Sequence, residues 1–311
     1  MPPEHEPGGK LDELARRAHL IPEAPLHVDR TRLAFRVLIV TSVAQAIFAS
    51  VPEIDLWVSR LFYDPEAGFA LRENALLREL RYALIYAVWI FGLPAFFMMI
   101  AAYWGRGPYR IGPRPWAFAS AGLILGAGIL VNGVLKSHWG RARPADVVEF
   151  GGTKTFTPPF EITDQCLRNC SFTSGEAASI SSLVLIALVL GWPRTGRLAR
   201  WALVTILVPI AVGGSALRVM TGRHFLSDVL FSILFCALIL VGLYWLLHME
   251  RYRGMRFSDL RADFATALRD YGAAICGRRS AWRRRAKPDL PGGRDQSADH
   301  QTSGSQPIQS P

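Results

Sequence analysis

Residues 229–247 read Val-Leu-Phe-Ser-Ile-Leu-Phe-Cys-Ala-Leu-Ile-Leu-Val-Gly-Leu-Tyr-Trp-Leu-Leu, nineteen positions without a charge. A helix needs about 20 apolar residues to cross a bilayer, and this run nearly supplies them. Similar runs lie at about 37–51, 82–104, 116–135, 177–192 and 201–217, and the last extends over about 225–247. Half of all residues are apolar and the mean hydropathy is +0.21, which suits a polytopic membrane protein rather than a soluble domain. Only helices and closed barrels satisfy their own backbone in lipid. The expected fold is therefore all-α, with six transmembrane helices. The run at 37–51 is short and holds Gln45, and the second contains Pro94. The third is rich in Gly and Ala, which lets helices approach closely.

Four segments follow from this pattern: a polar N-terminal stretch 1–36, a membrane domain 37–249, a basic amphipathic segment 250–287 and a disordered tail 288–311. Lys10–Leu20 carries a weak apolar stripe and reads as a short surface helix. The start is polar and acidic, unlike a cleavable signal peptide. Net charge is +10, with much of the excess near membrane ends and in the C-terminal segment. That distribution points to anionic lipid headgroups as partners of the basic C-terminal segment, not to nucleic acid. Arg251, Arg253, Arg256 and Arg261 alternate there with Phe257, Leu260, Phe264 and Leu268, as in a juxtamembrane helix. The further cluster Arg278, Arg279, Arg283, Arg284, Arg285 and Lys287 reads as a solvated patch. Loops 105–115 and 193–200 each hold three arginines and no acid. By the positive-inside rule these loops and both termini are cytoplasmic. Loops 52–81, 136–176 and 217–225 then face outward. The first of these mixes charges of both signs; Ile54, Trp57, Val58 and Leu61 keep helical spacing, and Asp64-Pro65 marks a turn.

The unusual chemistry gathers in the outward loops. His224 and Asp228 are four residues apart, so on a helix they share a face. A carboxylate there can hold one imidazole nitrogen as N–H and leave the other free to act. Arg218 upstream is a forked cation suited to phosphate oxygens. Taken alone, the segment also reads as an interfacial loop with snorkelling charges. Two further polar clusters sit at the same face: Lys136-Ser137-His138-Trp139-Gly140-Arg141-Ala142-Arg143-Pro144, and Cys170-Ser171-Phe172-Thr173-Ser174-Gly175-Glu176. His138, Glu176, His224 and Asp228 could ligate a metal, but metal-ligand spacing is absent. No metal and no cofactor are expected.

Lys136, six residues, then Arg143-Pro144 resembles the first motif of the type 2 phosphatidic acid phosphatase superfamily. Arg218, five residues, His224, three residues, Asp228 resembles its third, and Ser174-Gly175 matches part of its second. The resemblance covers about residues 136–228 and implies a membrane phosphatase. In such enzymes the residue matching His224 attacks phosphorus and gives a phosphohistidine, and the one matching Asp228 orients it. Lys136, Arg143 and Arg218 would hold the phosphate oxygens, with the backbone N–H groups of Ser174 and Gly175 at a helix start adding to the anion site. The departure is Glu176, where the family has a histidine thought to protonate the leaving oxygen. Glu176 then reads as a catalytic or substrate-ordering group, or, through Thr173-x-x-Glu176, as half of a capping box. His138 and Arg141 could touch a headgroup or stay in a solvated loop. Cys166 and Cys170 could pair in an oxidising compartment and stiffen the approach to Ser174. Cys236 reads as packing and Cys276 as a free cytoplasmic thiol.

These features imply a phosphatase acting on a membrane lipid at the periplasmic face of a bacterial inner membrane. The Ser-Gly-Glu variant and the Trp57…Phe62-Tyr63-Asp64 stretch resemble bacterial enzymes of the lipid A phosphatase type. Undecaprenyl diphosphate, phosphatidic acid and phosphatidylglycerophosphate stay open as substrates. A phosphotransferase, or a lipid-binding scaffold in which Glu176 marks lost activity, are the competing classes.

Overall fold

A computed structural model describes residues 30–105 and 107–285. The segment before residue 30, where the sequence predicts a surface helix over Lys10–Leu20, the side chains of the basic cluster from Arg278 onward, and the tail 288–311 lie outside the described residues. The chain divides into two compact units, Met1–Asp270 and Tyr271–Pro311. The spans and the polar cluster belong to the first.

Eight helices organise the described residues: α1 Arg30–Ser50, α2 Ile54–Arg60, α3 Ala75–Trp104, α4 Pro113–His138, α5 Gly175–Gly191, α6 Arg197–Met220, α7 Leu226–Leu246 and α8 Phe257–Arg285. Six of them, α1 and α3 to α7, are long and apolar enough to cross a membrane. The helices outrun their apolar cores. Sequence starts the second span at 82, yet α3 begins at Ala75, because the Asn74 side chain accepts the Leu77 N–H at 3.1 Å and caps it. Charge interrupts hydropathy there but not helical hydrogen bonding. Arg78, Glu79 and Arg81 are thereby placed on a helix end rather than in a loop.

α7 packs against α1, α4 and α5. Small residues on α4 permit this: a Cβ at Gly126 would stand 3.2 Å from the Cys236 sulfur, and one at Gly122 would press on Leu240. The central turns of α4, Gly122–Leu135, are wound as π-helix. At one end of the bundle the 139–174 connection folds inward. Phe172 is fully buried, stacks on Trp139 at 4.7 Å, and joins Phe48, Phe160 and Phe231 in one aromatic cluster. This plug fixes the loop that carries the polar residues.

At the other end the juxtamembrane segment differs from its sequence reading. Helix starts only at Phe257, so Arg251 and Arg253 precede it, and Phe257 and Leu268 are exposed. Acids, not the apolar stripe alone, pin α8. Asp263 accepts the N–H groups of Arg110 and Ile111, and Asp270 accepts the Tyr109 hydroxyl. Phe264 meets Trp116 edge to face.

Candidate active site

The polar cluster sits where α4 ends and α5 starts, and where α6 turns into α7. The turn Thr221–Phe225 is tight. Gly222 has φ +63° and lies against the Phe69 ring, so any side chain there meets both strain and a clash. The Arg218 carbonyl accepts the Arg223 and His224 N–H groups, which directs the His224 ring inward.

His224 is 1 % exposed. Its Nδ1 lies 2.7 Å from the Ser171 carbonyl oxygen, whereas Asp228 Oδ2 is 3.8 Å away. A carbonyl only accepts, so Nδ1 carries the hydrogen and Nε2 keeps its lone pair. Burial lowers the His224 pKa to about 4, opposed by Asp228 and reinforced by Lys136 and Arg218, so the ring is neutral at ordinary pH. The direct His224–Asp228 pairing expected from sequence becomes an indirect one. The Ser171 hydroxyl donates to Asp228 Oδ2 while the Ser171 carbonyl takes the histidine proton.

Asp228 is held in turn by Arg141, and Arg141 by Asp55, roles that sequence did not assign. Arg141 Nη1 donates to Asp228 Oδ1 at 2.7 Å, and Arg141 Nη2 donates to Asp55 Oδ2 at 2.8 Å. The side chains of Asp55, Arg141 and Asp228 are all fully buried. Arg141 Nε donates to the Thr157 carbonyl, and its guanidinium lies 4.4 Å from the Phe225 ring centroid. Asp55 also accepts the Ser227 N–H at 2.8 Å and its hydroxyl. The solvated-loop reading of Arg141 is therefore corrected: two carboxylates and a carbonyl from distant segments surround it.

Glu176 lies in the first turn of α5. The helix is capped by the Ser174 hydroxyl, which accepts from Ala177 N, so Thr173 does not form the capping box with Glu176. Both Glu176 oxygens face Arg81 in a bidentate pair, 2.8 Å and 2.8 Å, and Arg218 Nη1 stands 3.3 Å from Oε2. Sequence places Arg81 in the 52–81 loop, where it carries no site signal. Arg218 is buried, and its Nε has no hydrogen-bond partner among the described residues. The Ser174 N–H is taken by the Asp228 carbonyl at 3.2 Å and is not available to an anion. Gly175 lets α4 and α5 close up, since a Cβ there would strike the Asn132 side chain.

Lys136 and Arg143 meet at one residue. Lys136 Nζ donates to Asn169 Oδ1 at 3.0 Å and Arg143 Nη2 to the Asn169 carbonyl at 2.6 Å. Cys166 and Cys170 form a disulfide around this asparagine. Burial, then the nearby Arg223, lowers the Arg143 pKa. His138 is exposed, and its Nδ1 lies 2.9 Å from the Val134 carbonyl oxygen of its own helix. Among the described residues no three or more His, Cys, Asp or Glu side chains converge as metal ligands.

A buried histidine, its braced carboxylate and several cations gather at one end of six apolar helices, and the comparisons give the class, an integral membrane phosphatase. Residues 117–252 match the PAP2 superfamily. A lipid A 4'-phosphatase of Rhizobium leguminosarum is 30% identical over 222 residues, 67% of this chain and 93% of that protein. Another, of Rhizobium etli, is 32% identical over 225 residues, 67% of this chain and 84% of that protein. A lipid A 4'-phosphatase of Francisella tularensis subsp. novicida is 38% identical over 137 residues, 44% of this chain and 58% of that protein. No solved structure matches the chain. The chain belongs to the PAP2 superfamily.

Proposed function

We propose that this protein hydrolyses a phosphate monoester on lipid A, at the 4' position that its relatives' names specify, with His224 as nucleophile. The observation that carries the mechanism is the His224 geometry: Nδ1–H is tied to the Ser171 carbonyl, the ring is neutral, and Nε2 is the free lone pair. Nε2 attacks phosphorus, the bond from phosphorus to the lipid oxygen breaks, and that oxygen leaves with the bonding pair and takes a proton from solvent. Water then attacks the phosphohistidine, the P–N bond breaks, and orthophosphate departs. Lys136, Arg143 and Arg218 offset the charge on the equatorial oxygens; the unpartnered buried Arg218 Nε–H is a donor waiting for such an oxygen. Asp228 acts through Ser171, stabilising the ring as it becomes cationic.

Glu176 has both oxygens turned to guanidinium groups, so we assign it the ordering of Arg218 and Arg81, not proton donation. The reaction face is assigned to the periplasm and the termini to the cytoplasm of the inner membrane. The support is that the arginine-rich loops 105–115 and 193–200 join the helix ends opposite the cluster. The test is phosphate release from lipid A by the purified full-length protein beside His224→Ala. Release by the parent and none by the variant is expected; equal release by both rejects His224 as nucleophile.

A further inference from the structure

A basic chamber adjoins the cluster at Arg218. It is a cavity of about 180 Å³ whose wall includes Arg72, Arg78, Arg81, Arg218 and Arg223. His224, Lys136 and Arg143 do not line it, so it is not where a phosphate attacked by Nε2 would sit. Its walls come from the start of α3, the turn before it, the end of α6 and the turn from α6 into α7.

The carboxylates near these five guanidinium groups are few. Glu73 lines the chamber, Glu79 pairs with the exposed Arg78 at 3.6 Å, and Glu176 is shared between Arg81 and Arg218. Among the described residues neither Arg72 nor Arg223 has a carboxylate at ion-pair distance; Asp146 and Glu176 reach Arg223 only through longer-range attraction. Burial and the charges of Arg72 and Arg81 lower the Arg223 pKa, the direction of a cation crowded by its own kind. Like charges assembled this way raise the local concentration of an anion and hold it.

We propose that this chamber binds a second phosphate of the same headgroup, so that the enzyme prefers a doubly phosphorylated lipid to a singly phosphorylated one. The proposal rests on the phosphatase reading above and names the substrate class of that site. Arg72 and Arg223 are its specificity residues. Arg81 and Arg218 join it to the reacting centre, and Glu176 holds that shared wall in place.

The test compares kcat/KM for lipid A bearing both phosphates with that for lipid A bearing the 4' phosphate alone, in the full-length parent and in Arg72→Gln/Arg223→Gln. The parent is expected to favour the doubly phosphorylated lipid on the order of tenfold or more, the worth of a charge-assisted hydrogen bond, mainly through KM. In the variant the ratio falls to near one, while Arg72→Lys/Arg223→Lys keeps part of it. A purely structural role would lower both values and leave the ratio intact, which would overturn the proposal, as would a parent ratio near one. Inorganic phosphate added with the singly phosphorylated lipid is a further arm. If it restores full kcat/KM, the chamber takes a free anion and the headgroup assignment fails. No turnover of either lipid would sink the phosphatase reading instead. Native mass spectrometry with the same two lipids then decides the chamber, equal Kd values rejecting it.

Discussion

Replacing Arg141 by Met keeps the length of its stem and removes its charge. Arg141 is fully buried and contacts Asp55 at 2.8 Å, Asp228 at 2.7 Å and the Ser227 hydroxyl at 2.9 Å. The variant leaves two carboxylates facing each other without a counter-charge or access to water. Breaking a buried pair by removing one partner costs about 3–5 kcal/mol, and a large share of the about 5–15 kcal/mol that keeps a typical protein folded would go. Asp55→Asn added to Arg141→Met removes one stranded charge and should recover about 1 kcal/mol or more, a coupling that distant sites do not show. Catalysis falls too, because Asp228 loses the donor opposite Ser171 and the His224 ring loses its alignment; about 1 Å of misplacement can cost about 10²-fold. Equilibrium unfolding followed by tryptophan fluorescence in one detergent, with kcat on the same samples, reads both effects. A loss under about 1 kcal/mol with unchanged kcat would refute the reasoning, since a charge that can be deleted so cheaply is not holding two buried carboxylates.

Other outcomes follow from the same geometry. The His224 pKa, lowered from 6.5 to about 4, puts the acid limb of the kcat/KM profile near pH 4 rather than 6.5, because protonation removes the nucleophilic lone pair. Stability should also decline as pH falls from 6.5 towards 4, where the unfolded chain binds a proton that the folded chain refuses; a profile breaking near 6.5 counts against a buried neutral ring. Glu176→Gln should cut kcat/KM about 10-fold to 100-fold, and Arg81→Gln added to it should cost little more, because the two side chains act as a pair; fully multiplicative losses would separate them. Cys166→Ser, or reductant on the parent, should raise KM several-fold by loosening Asn169, which meets both Lys136 and Arg143; unchanged KM would show that Asn169 holds its place without the disulfide.

Apolar runs made the six spans legible, since membrane helices advertise themselves by composition. Their ends were less legible, and Arg81 shows why. Hydropathy stops at the first charges, but α3 continues two turns beyond them on backbone hydrogen bonds and an asparagine cap. The spacing of Lys136, Arg143, Arg218, His224 and Asp228 pointed to one face because those residues flank helix ends that meet. Asp55 and Arg141 carried no comparable signal. Asp55 reads as one charge of an interfacial helix and Arg141 as a headgroup contact or a solvated loop charge, and only the packing of α2 and the 139–174 plug around α7 turns them into a buried pair. The histidine–aspartate spacing was visible, whereas the interposed Ser171 was not, because its role depends on a carbonyl, which every residue has. Glu176 was marked by its departure from the motif, and its partner could be found only once 95 positions of chain had been folded back onto it.

The most direct test of the account follows the phosphate itself. Full-length protein is mixed with lipid A for a fraction of a turnover, quenched in base, digested, and the peptide spanning His224 is sequenced by mass spectrometry, with His224→Ala alongside. The account requires an acid-labile phosphate on His224 that appears before orthophosphate and is absent from the variant. Orthophosphate released at the parent's rate by His224→Ala, or a phosphate found on any other residue, would contradict it.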